Sequence, residues 1–385
     1  MEGPRGLKKE ELPSAALLSN SIFRRNSPYK MEEEFPLLFS RGNLDNMRVF
    51  TDAGKVVSLV GMSIKDAMIM GCRIHTVSIG AVCTHPEYRN RGLATKLMED
   101  ATKRARRKGV ELMLISGGRG LYRRLGCINA GIFKSFFITR GQLGQTNGSS
   151  GLSLRKYEEG DVVDLVKLHQ SEPIRFVRPR EEFSTLLAAK RLCDRTSETY
   201  VISKGGKVVA YACIQLPPSK EKPLVMMEFA GSRALILGKL RDLMDEVGTG
   251  SAIIETPSAD MGLECLLLAA GAKHSTRGFM GTVKMLDAKG FIEHIDPYIT
   301  EILGTERRGD LTITYRPNPP ELRFKYREQR FGVNGTERIT AFVFGSLEGQ
   351  MRVVPEEMKE SAPELGELLA KAFPMPLVDY GLNYV

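Results

Sequence analysis

A buried strand that leads into a helix through a glycine-bearing loop constrains this sequence more than any other feature. Residues 77–84, VSIGAVCT, are mostly apolar or β-branched and predict a strand. Pro86 ends that strand because proline has no amide hydrogen for the ladder. Apolar residues that recur every three or four positions from Leu93 to Ala105 predict the helix, and Gly109 is its expected stop.

The loop between strand and helix, residues 89–94, reads R-x-x-G-x-A and has the properties of an anion site. The first amides of a helix lack partners within the helix, and the helix dipole adds positive charge there. Gly92 allows an anion close to the backbone, Ala94 leaves the next turn uncrowded, and Arg89 and Arg91 add charge-assisted hydrogen bonds. The loop therefore predicts a pyrophosphate cradle, although neither G-x-x-x-x-G-K-[ST] nor G-x-G-x-x-G follows a strand here.

Length and composition exclude several classes of protein. The 385 residues suit two or three domains, and no apolar run approaches the roughly 18 residues of a membrane span. Scattered cysteines without a C-x-x-C pair predict reduced thiols and a cytoplasmic location, and the five histidines predict no metal site. The net charge of +9 is densest at residues 103–108, where cations suit a helix end. We interpret that run as a solvated face, with anion steering as the alternative and nucleic-acid binding unsupported.

The predicted elements form a pattern that occurs twice. The first copy has a short strand at 5–7, helices at 9–23 and 31–40, strands at 47–51, 56–63, 68–70, 74–84 and 111–116, and the helix described above. Residues 141–152 predict a flexible linker, after which the pattern begins again and continues to Gly271, placed like Gly126. Beyond about residue 289 come strands at 311–315 and 322–326, helices at 338–345 and 362–373, and an apolar end that predicts a docked terminus.

The strand, Pro86 and the loop together resemble motif A of the GCN5-related N-acetyltransferases (GNAT superfamily). Residues 121–127, LYRRLGC, resemble motif B, although Cys127 replaces its usual aromatic residue. The resemblance implies acetyl-coenzyme A as acyl donor and no metal. The backbone of Val82 and Thr84 would pair with its pantetheine arm like an added strand. The implied cofactor-binding residues are Val82, Cys83, Thr84, Arg89, Asn90, Arg91, Gly92, Leu93, Ala94, Ser116 and Gly117.

The second copy lacks R-x-x-G-x-A between its strand and helix, where residues 230–234 read AGSRA. Two acetyltransferase domains, the second degenerate, followed by a small domain of sterol-carrier type resemble the enhanced-intracellular-survival (Eis) family. The predicted fold class is therefore α/β (α+β) with two GNAT folds. The predicted domains are residues 1–145 (catalytic), 150–287 (degenerate) and 288–385 (sterol-carrier-like).

This resemblance also implies a mechanism. Tyr122 is the expected general acid for the leaving thiolate, and the carboxylate of Val385 is expected to help deprotonate a primary amine, which attacks directly in a ternary complex. The alternatives are a packing tyrosine, a merely packed terminus, and a ping-pong reaction through Cys83.

The acceptor amine stays open among aminoglycosides, polyamines and lysine side chains. Glu32, Glu33, Glu34 and Asp379 are candidates for an acidic pocket, but the penultimate residue, Tyr384, is not an acid. The family resemblance implies a homo-oligomer, a hexamer, with no nucleic-acid or membrane partner. The competing functions are a lipid-binding or acyl-CoA-binding carrier or sensor without turnover, and a nucleic-acid-binding protein.

Overall fold

The computed structural model describes residues 1–144, 151–348 and 353–385. Residues 145–150, the centre of the predicted linker at 141–152, lie outside the described residues. The chain divides into two compact units, each made of separate segments. Unit 1 consists of residues 1–132, 278–377 and Val385, and unit 2 consists of residues 133–277 and 378–384.

The described strands and helices alternate along the whole chain. The strands are β1 (Glu2–Gly6), β2 (Met47–Asp52), β3 (Lys55–Ile69), β4 (Cys72–Thr84), β5 (Leu112–Ile115), β6 (Phe133–Thr139), β7 (Leu152–Lys156), β8 (Ile174–Phe176), β9 (Arg191–Leu192), β10 (Arg195–Lys204), β11 (Lys207–Gln215), β12 (Leu224–Gly231), β13 (Ser251–Pro257), β14 (Lys273–Arg277), β15 (Thr282–Met285), β16 (Leu311–Pro317), β17 (Pro320–Tyr326) and β18 (Gln329–Asn334). The helices are α1 (Leu12–Phe23), α2 (Met31–Glu34), α3 (Leu93–Arg107), α4 (Gly120–Arg124), α5 (Val162–Gln170), α6 (Arg180–Ala189), α7 (Arg233–Gly238), α8 (Leu240–Val247), α9 (Met261–Ala269), α10 (Ala288–His294), α11 (Asp296–Leu303), α12 (Thr305–Asp310), α13 (Thr336–Phe344), α14 (Val353–Ser361) and α15 (Pro363–Leu369).

The main sheet of unit 1 has the strand order β1-β2-β3-β4-β5-β15. Its neighbours are antiparallel except β4 and β5, which run parallel. The turn that joins β2 to β3 after Asp52 has Ala53 and Gly54 both at positive φ, as a two-residue hairpin turn requires. The strands predicted at 56–63 and 68–70 are one continuous strand, β3, because the hairpin closes only at Met70 and Gly71.

Helix α3 confirms the predicted amphipathic helix. Leu97, Met98, Ala101 and Ala105 are fully buried and pack against strand residues of the main sheet. The helix predicted at 31–40 is wrong in length, since α2 ends at Glu34. Pro36 explains this early end, because a proline disfavours helical backbone in the residue before it.

Unit 2 contains the predicted second copy of the pattern. Its sheet has the order β14-β6-β13-β12-β11-β10-β7, with β9 paired to β10, and only β12 and β13 run parallel. The parallel pair β12–β13 therefore occupies the position that β4–β5 has in unit 1. Between β12 and β13, in the position that α3 has in unit 1, lie two short helices, α7 and α8, which meet at Lys239.

Two strands lie in sheets that their sequence position does not indicate. Strand β6 follows the motif B region directly, yet it pairs with β13 and β14 in the sheet of unit 2. Strand β15 follows the strands of that sheet along the chain, yet it pairs with β5 in unit 1. The domain limits at 1–145, 150–287 and 288–385 stay a prediction, but they do not coincide with these units.

The C-terminal part of unit 1 contains a three-stranded antiparallel sheet, β16-β17-β18. The first two strands were predicted, whereas β18 was not, because Gly332 interrupts its apolar alternation. The predicted helices at 338–345 and 362–373 correspond to α13 and α15, and α10 to α12 were not predicted. The likeness of this region to a sterol carrier stays a prediction.

A buried ion pair holds the end of the chain within unit 2. The guanidinium of Arg178 donates two hydrogen bonds to the carboxylate of Glu228, at 2.6 and 2.8 Å, and a third to Oδ1 of Asn383 at 2.5 Å. Glu228 also accepts from the backbone amide of Leu382 at 3.0 Å. Burial raises the pKa of Glu228, but the Arg178 charge and the hydrogen bonds outweigh it and lower that pKa to about 2. The residues before Val385 are therefore docked, as the apolar tail predicted.

Candidate active site

Strands β4 and β5 separate part of the way along β4. Their parallel pairing runs from Thr76–Leu112 to Ile79–Ile115, and the amide of Ser116 still donates to the carbonyl of Ile79 at 3.1 Å. Strand β4 continues to Thr84 without a partner on that side. A register shift against β3 and a positive φ of 50° at Ala81 mark a β-bulge where the strands part. The sheet therefore has an open strand edge at residues 80–84.

Backbone alternation determines which groups of β4 face this open edge. The amide of His85 donates to the carbonyl of Val57 on β3 at 2.9 Å. Since the hydrogen bonds of an antiparallel pair alternate along a strand, Thr84 and Val82 direct their backbone groups away from β3. The backbone groups of Val82 and Thr84, the predicted cofactor contacts, therefore face the open edge, while the backbone of Cys83 is turned towards β3.

The loop before α3 has the predicted form of an anion cradle. Asn90 and Gly92 have φ of 62° and 71°, and Arg89, Asn90, Arg91 and Gly92 are all exposed. The first helical hydrogen bond joins the amide of Lys96 to the carbonyl of Gly92 at 3.1 Å, so the amides of residues 93–95 lack helical partners. Within a helix of 15 residues these amides carry the positive end of the dipole.

The side chains around the cradle are held locally. Arg91 donates to the carbonyl of Glu87 at 3.0 Å and stacks on the ring of Tyr88, whose hydroxyl donates to Asp52 at 2.7 Å. Leu93 is buried in the core and anchors the start of α3, and Ala94 is half-buried. Arg89 donates to the carbonyl of Thr84 at 3.3 Å. The cradle therefore presents two arginines without a carboxylate partner among the described residues.

Tyr122, the predicted acid, lies on α4 beside the separation of β4 and β5. Its ring is buried, and a Cβ at Gly117 would lie 3.4 Å from its Cε2 atom. The hydroxyl has no hydrogen-bond partner among the described residues. Burial raises the pKa of Tyr122, and the charge of Arg119 opposes this only in part. The phenol is therefore protonated and available to donate.

The C-terminal carboxyl group of Val385 lies at the same separation. The Ser116 hydroxyl donates to the terminal oxygen of Val385 at 2.5 Å. A Cβ built on Gly80 would lie 2.2 Å from the carboxyl carbon of Val385, so only glycine leaves room for the terminus here. The sequence prediction placed Ser116 and Val385 in the site but missed Gly80, because nothing in a strand pattern indicates that the distant chain end packs on it.

Cys83 is buried and inert. Its Sγ atom lies 3.9 Å from the hydroxyl of Ser19 on α1. Burial raises the pKa of this thiol to about 12, against weaker opposing effects of Ser19 and of the charges of Arg119 and Arg89. A thiol of this pKa is almost wholly protonated near neutral pH, which disfavours a nucleophilic role.

Each of the four acidic residues suggested for a pocket has a polar or charged neighbour within its own unit. Glu34 is buried and pairs with Arg24 at 2.5 Å, and Glu32 accepts a hydrogen bond from Asn20 at 2.8 Å. Glu33 is exposed, 3.9 Å from Lys30. Asp379 belongs to unit 2, where it pairs with Arg277 at 2.7 Å.

Unit 2 has an internal carboxylate at the point that corresponds to the cradle. Glu172 accepts from the amide of Gly231 at 3.1 Å and pairs with Arg233 at 2.5 Å, and Arg233 also pairs with Asp260 at 2.9 Å. The hydroxyl of Ser232 caps the short helix α7. The backbone and the arginine that would meet an external anion are thus already satisfied, which agrees with the prediction of a copy without the cofactor loop.

Residues 4–129 match the family described as Acetyltransferase (GNAT) domain. These residues carry the open strand edge, the cradle, Ser116 and Tyr122, and GNAT domains bind an acyl-coenzyme A. The predicted resemblance to the GNAT superfamily is therefore confirmed for residues 4–129, and the acetyltransferase domain there supports an acyltransferase enzyme. No curated protein matches the chain in sequence.

Solved structures extend the likeness to the whole chain. A GCN5-related N-acetyltransferase from Anabaena variabilis superposes with a TM-score of 0.69 at 14% identity, covering 98% of each chain. A probable N-acyltransferase from Enterococcus faecalis gives 0.68 at 13% identity, covering 97% of this chain and 98% of the other. Eis1 from Mycobacterium abscessus gives 0.64 at 11% identity and full coverage of both. The predicted tandem GNAT fold, resembling that of Eis, is confirmed.

Metal-binding clusters and membrane-spanning helices are both absent from the part of the chain that the structure describes. Within residues 1–144, 151–348 and 353–385, no three His, Cys, Asp or Glu side chains are grouped so that they could hold a metal ion. No helix in the same segments is long and apolar enough to cross a membrane.

Proposed function

We propose that the protein transfers an acetyl group from acetyl-coenzyme A to a primary amine by direct attack within a ternary complex. The observation that carries the proposal is the carboxyl group of Val385, held by Ser116 where β4 and β5 separate. A base, a buried phenol and an open strand edge are then all present in unit 1. Such a combination suits the acetylation of a protonated amine, in which the nitrogen loses two protons and the leaving sulfur gains one.

The residues that would hold the donor follow from the free groups of the site. The backbone of Val82 and Thr84 offers hydrogen bonds to the amides of the pantetheine arm, as an added strand would. The amides and guanidinium groups of residues 89–94 offer hydrogen bonds to the pyrophosphate. Cys83, Ser116 and Gly117 are the remaining predicted cofactor-binding residues, and of these Gly117 lies beside the ring of Tyr122. The donor, when bound, supplies a thioester whose carbonyl carbon accepts the amine.

The catalytic roles are divided between two groups of this chain. The Val385 carboxylate accepts a proton from the protonated amine, directly or through water, and so frees the lone pair for attack. Tyr122 delivers its phenolic proton to the sulfur that leaves, and the second proton that the amine nitrogen loses as the amide forms returns to the phenol, directly or through solvent. Its raised pKa keeps the hydroxyl protonated at neutral pH and therefore able to donate. Much of the rate enhancement would come from holding the reacting groups in line.

The state of Cys83 supports direct attack over a ping-pong reaction. An acyl-cysteine route needs a thiolate, and the pKa of about 12 leaves little of it at neutral pH. The thiol is buried against Ser19 of α1.

The proposal also covers the acceptor, the cellular location, the oligomeric state and the C-terminal region. The acceptor is a small molecule with a primary amine, of aminoglycoside, polyamine or lysine type, and the enzyme acts in the cytoplasm as a homo-oligomer. The C-terminal part of unit 1 is of sterol-carrier type. The alternative function is a carrier or sensor that binds an acyl-coenzyme A without turnover.

The test measures thiol release from acetyl-coenzyme A with kanamycin, spermidine and a lysine peptide as acceptors. The wild type is compared with Tyr122→Phe and with a variant that carries one extra glycine after Val385. We expect kcat to fall by about 100-fold or more in Tyr122→Phe, because it loses the acid. The extension should cause a similar loss, because it converts the carboxylate into an amide.

Val385→Ala is the matched control for the extension, since it shortens the side chain and keeps the carboxylate. It should retain most of the activity. Activity that survives the extension would exclude Val385 as the base. Binding of acetyl-coenzyme A without turnover of any amine would favour the carrier or sensor, and failure to bind it would contradict the role of the loop.

A further inference from the structure

Arg119 is an unpaired cation beside the candidate active site. It lies in the loop Gly117–Gly118–Arg119–Gly120 between β5 and α4, and its carbonyl accepts the amide of Tyr122 at 2.9 Å. The side chain is exposed and stacks over the ring of Phe23, with 6.0 Å between the guanidinium carbon and the ring centroid. No described carboxylate forms an ion pair with it.

The position of Phe23 places this guanidinium on a particular face of the sheet. Successive side chains of a strand point to opposite faces. Val82 packs in the core cluster that contains Leu93 and Leu97 of α3, whereas Cys83 contacts Ser19 of α1. Helices α1 and α3 therefore lie on opposite faces of the sheet. Arg119, stacked on the last residue of α1, lies on the face away from the phosphate cradle.

This geometry separates Arg119 from the phosphates of the donor. The cradle at the start of α3 supplies its own amides, Arg89 and Arg91 for that charge. A donor held from the α3 face leaves the α1 face for the acceptor, because the amine must approach the thioester from outside the donor. Arg119 is therefore on the acceptor side.

The acids of the α1 face do not neutralise Arg119. Glu34 is committed to Arg24 at 2.5 Å, and Glu32 accepts from Asn20. Glu33 is exposed near Lys30. An unneutralised cation at this position repels a polycationic acceptor and attracts an acceptor that carries an oxyanion.

We propose that Arg119 selects an acceptor that carries a carboxylate or phosphate group in addition to its primary amine. This inference rests on the proposed amine acetylation and narrows its substrate class. The guanidinium binds the oxyanion and so directs the amine of the same molecule towards the Val385 carboxylate. Arg119 is a specificity residue and takes no part in proton transfer.

The experiment compares acceptors in matched pairs that differ in one anionic group, lysine with cadaverine and phosphoethanolamine with ethanolamine. We expect the wild type to prefer the anionic member by about 10-fold or more in kcat/KM, the size expected of one charge-assisted hydrogen bond. Arg119→Gln should abolish this preference through the KM of the acceptor, and Arg119→Lys should keep part of it. The control, Arg107→Gln, removes an equal charge at the C-terminal end of α3. It should leave the preference for the anionic acceptor unchanged.

The two sources of an oxyanion are distinguished by the KM of acetyl-coenzyme A. An unchanged value in Arg119→Gln supports the acceptor, whereas a large rise with an unchanged acceptor preference assigns Arg119 to the donor phosphates and overturns the proposal. Equal or faster turnover of cadaverine by the wild type overturns it as well.

Should no amine be acetylated, the proposed function fails first and binding decides this inference. Calorimetry on the enzyme loaded with coenzyme A should then show tighter binding of lysine than of cadaverine, lost in Arg119→Gln. Equal binding of the two would overturn the proposal.

Discussion

Gly80 and the terminal carboxyl group compete for the same space. A Cβ on residue 80 would approach the carboxyl carbon of Val385 to 2.2 Å, far inside van der Waals contact. We predict that Gly80→Ala displaces the terminus and lowers kcat by about 100-fold, because a shift of about 1 Å in a catalytic group costs that much. Steady-state kinetics with the best acceptor of the panel provide the measurement.

The matched control for that substitution is Gly160→Ala, at a glycine of unit 2 with an ordinary φ and no neighbour within 4 Å. It should leave kcat unchanged. The dissociation constant of acetyl-coenzyme A should stay within a few-fold of wild type in both variants. A fully active Gly80→Ala enzyme would show that the position of the terminus is unimportant.

The sequence predicted one part of the site and not the other. Residues 82–94 form a local motif, so their spacing alone indicates a strand edge and a cradle. The contact between Ser116 and Val385 joins residues that are 269 positions apart. The family resemblance suggested that Val385 belongs to the site, but nothing in the sequence predicted this contact. Gly80 and Arg119 were not predicted, because their roles depend on what packs against them in three dimensions.

The loop–helix element makes a prediction that two similar glycines can test. Gly92 and Gly109 flank α3, with φ of 71° and 69°, and a Cβ would meet no atom within 4 Å at either position. Alanine at either position should therefore lower the free energy of unfolding by about 1 kcal/mol, because a side chain disfavours left-handed backbone. Only Gly92→Ala should also weaken acetyl-coenzyme A binding, by about 10-fold, because it lies in the cradle.

A donor without the pyrophosphate gives this comparison its control. Turnover of acetyl-pantetheine should be the same in Gly92→Ala and Gly109→Ala, since neither variant alters the strand edge. Calorimetry for binding and thiol release for turnover are the measurements. Equal loss of acetyl-coenzyme A binding in both variants would mean that the effect arises from α3 as a whole.

The sequence predicted whether a segment forms a strand or a helix more reliably than it predicted which strands pair with each other. The β4–loop–α3 unit was predicted because periodicity and capping are properties of neighbouring residues. The positions of β6 and β15 were not predicted, since an alternating strand does not indicate the sheet in which it pairs. Helix α2 was predicted too long because its apolar residues continue past Pro36.

At the scale of the whole molecule, the buried network of unit 2 predicts sensitivity to acid. His169 is buried against the hydroxyl of Tyr211 and the carbonyl of Phe176, at 3.1 and 3.0 Å. Burial lowers the pKa of His169 from 6.5 to about 4. Between pH 6.5 and 4, His169 is therefore protonated in the unfolded chain but not in the folded chain. The free energy of unfolding consequently falls as the pH falls from 6.5 towards 4. Glu228, with its pKa lowered to about 2, adds a further loss below about 4.5.

Urea unfolding followed by circular dichroism between pH 7 and 4 measures this dependence. His169→Gln keeps a hydrogen-bonding side chain that does not titrate, so its stability should lose on the order of 3 kcal/mol less over that range than the wild type. His274→Gln, at an exposed histidine of the same unit, should keep the wild-type slope. Equal slopes for all three proteins would mean that His169 does not control the acid response.

The placing of β15 has a consequence for the order in which the protein is made. On the ribosome, residues 1–132 emerge first, but β5 cannot gain its second neighbour until residues 282–285 follow. Strand β6 likewise cannot pair with β13 until β13 has been synthesised, more than 100 residues later. Since Val385 supplies the proposed base and lies 269 positions beyond Ser116, a nascent chain would acquire the proposed active site only after Val385 has been synthesised. A nascent chain that does not yet contain Val385 would therefore have no acetyltransferase activity.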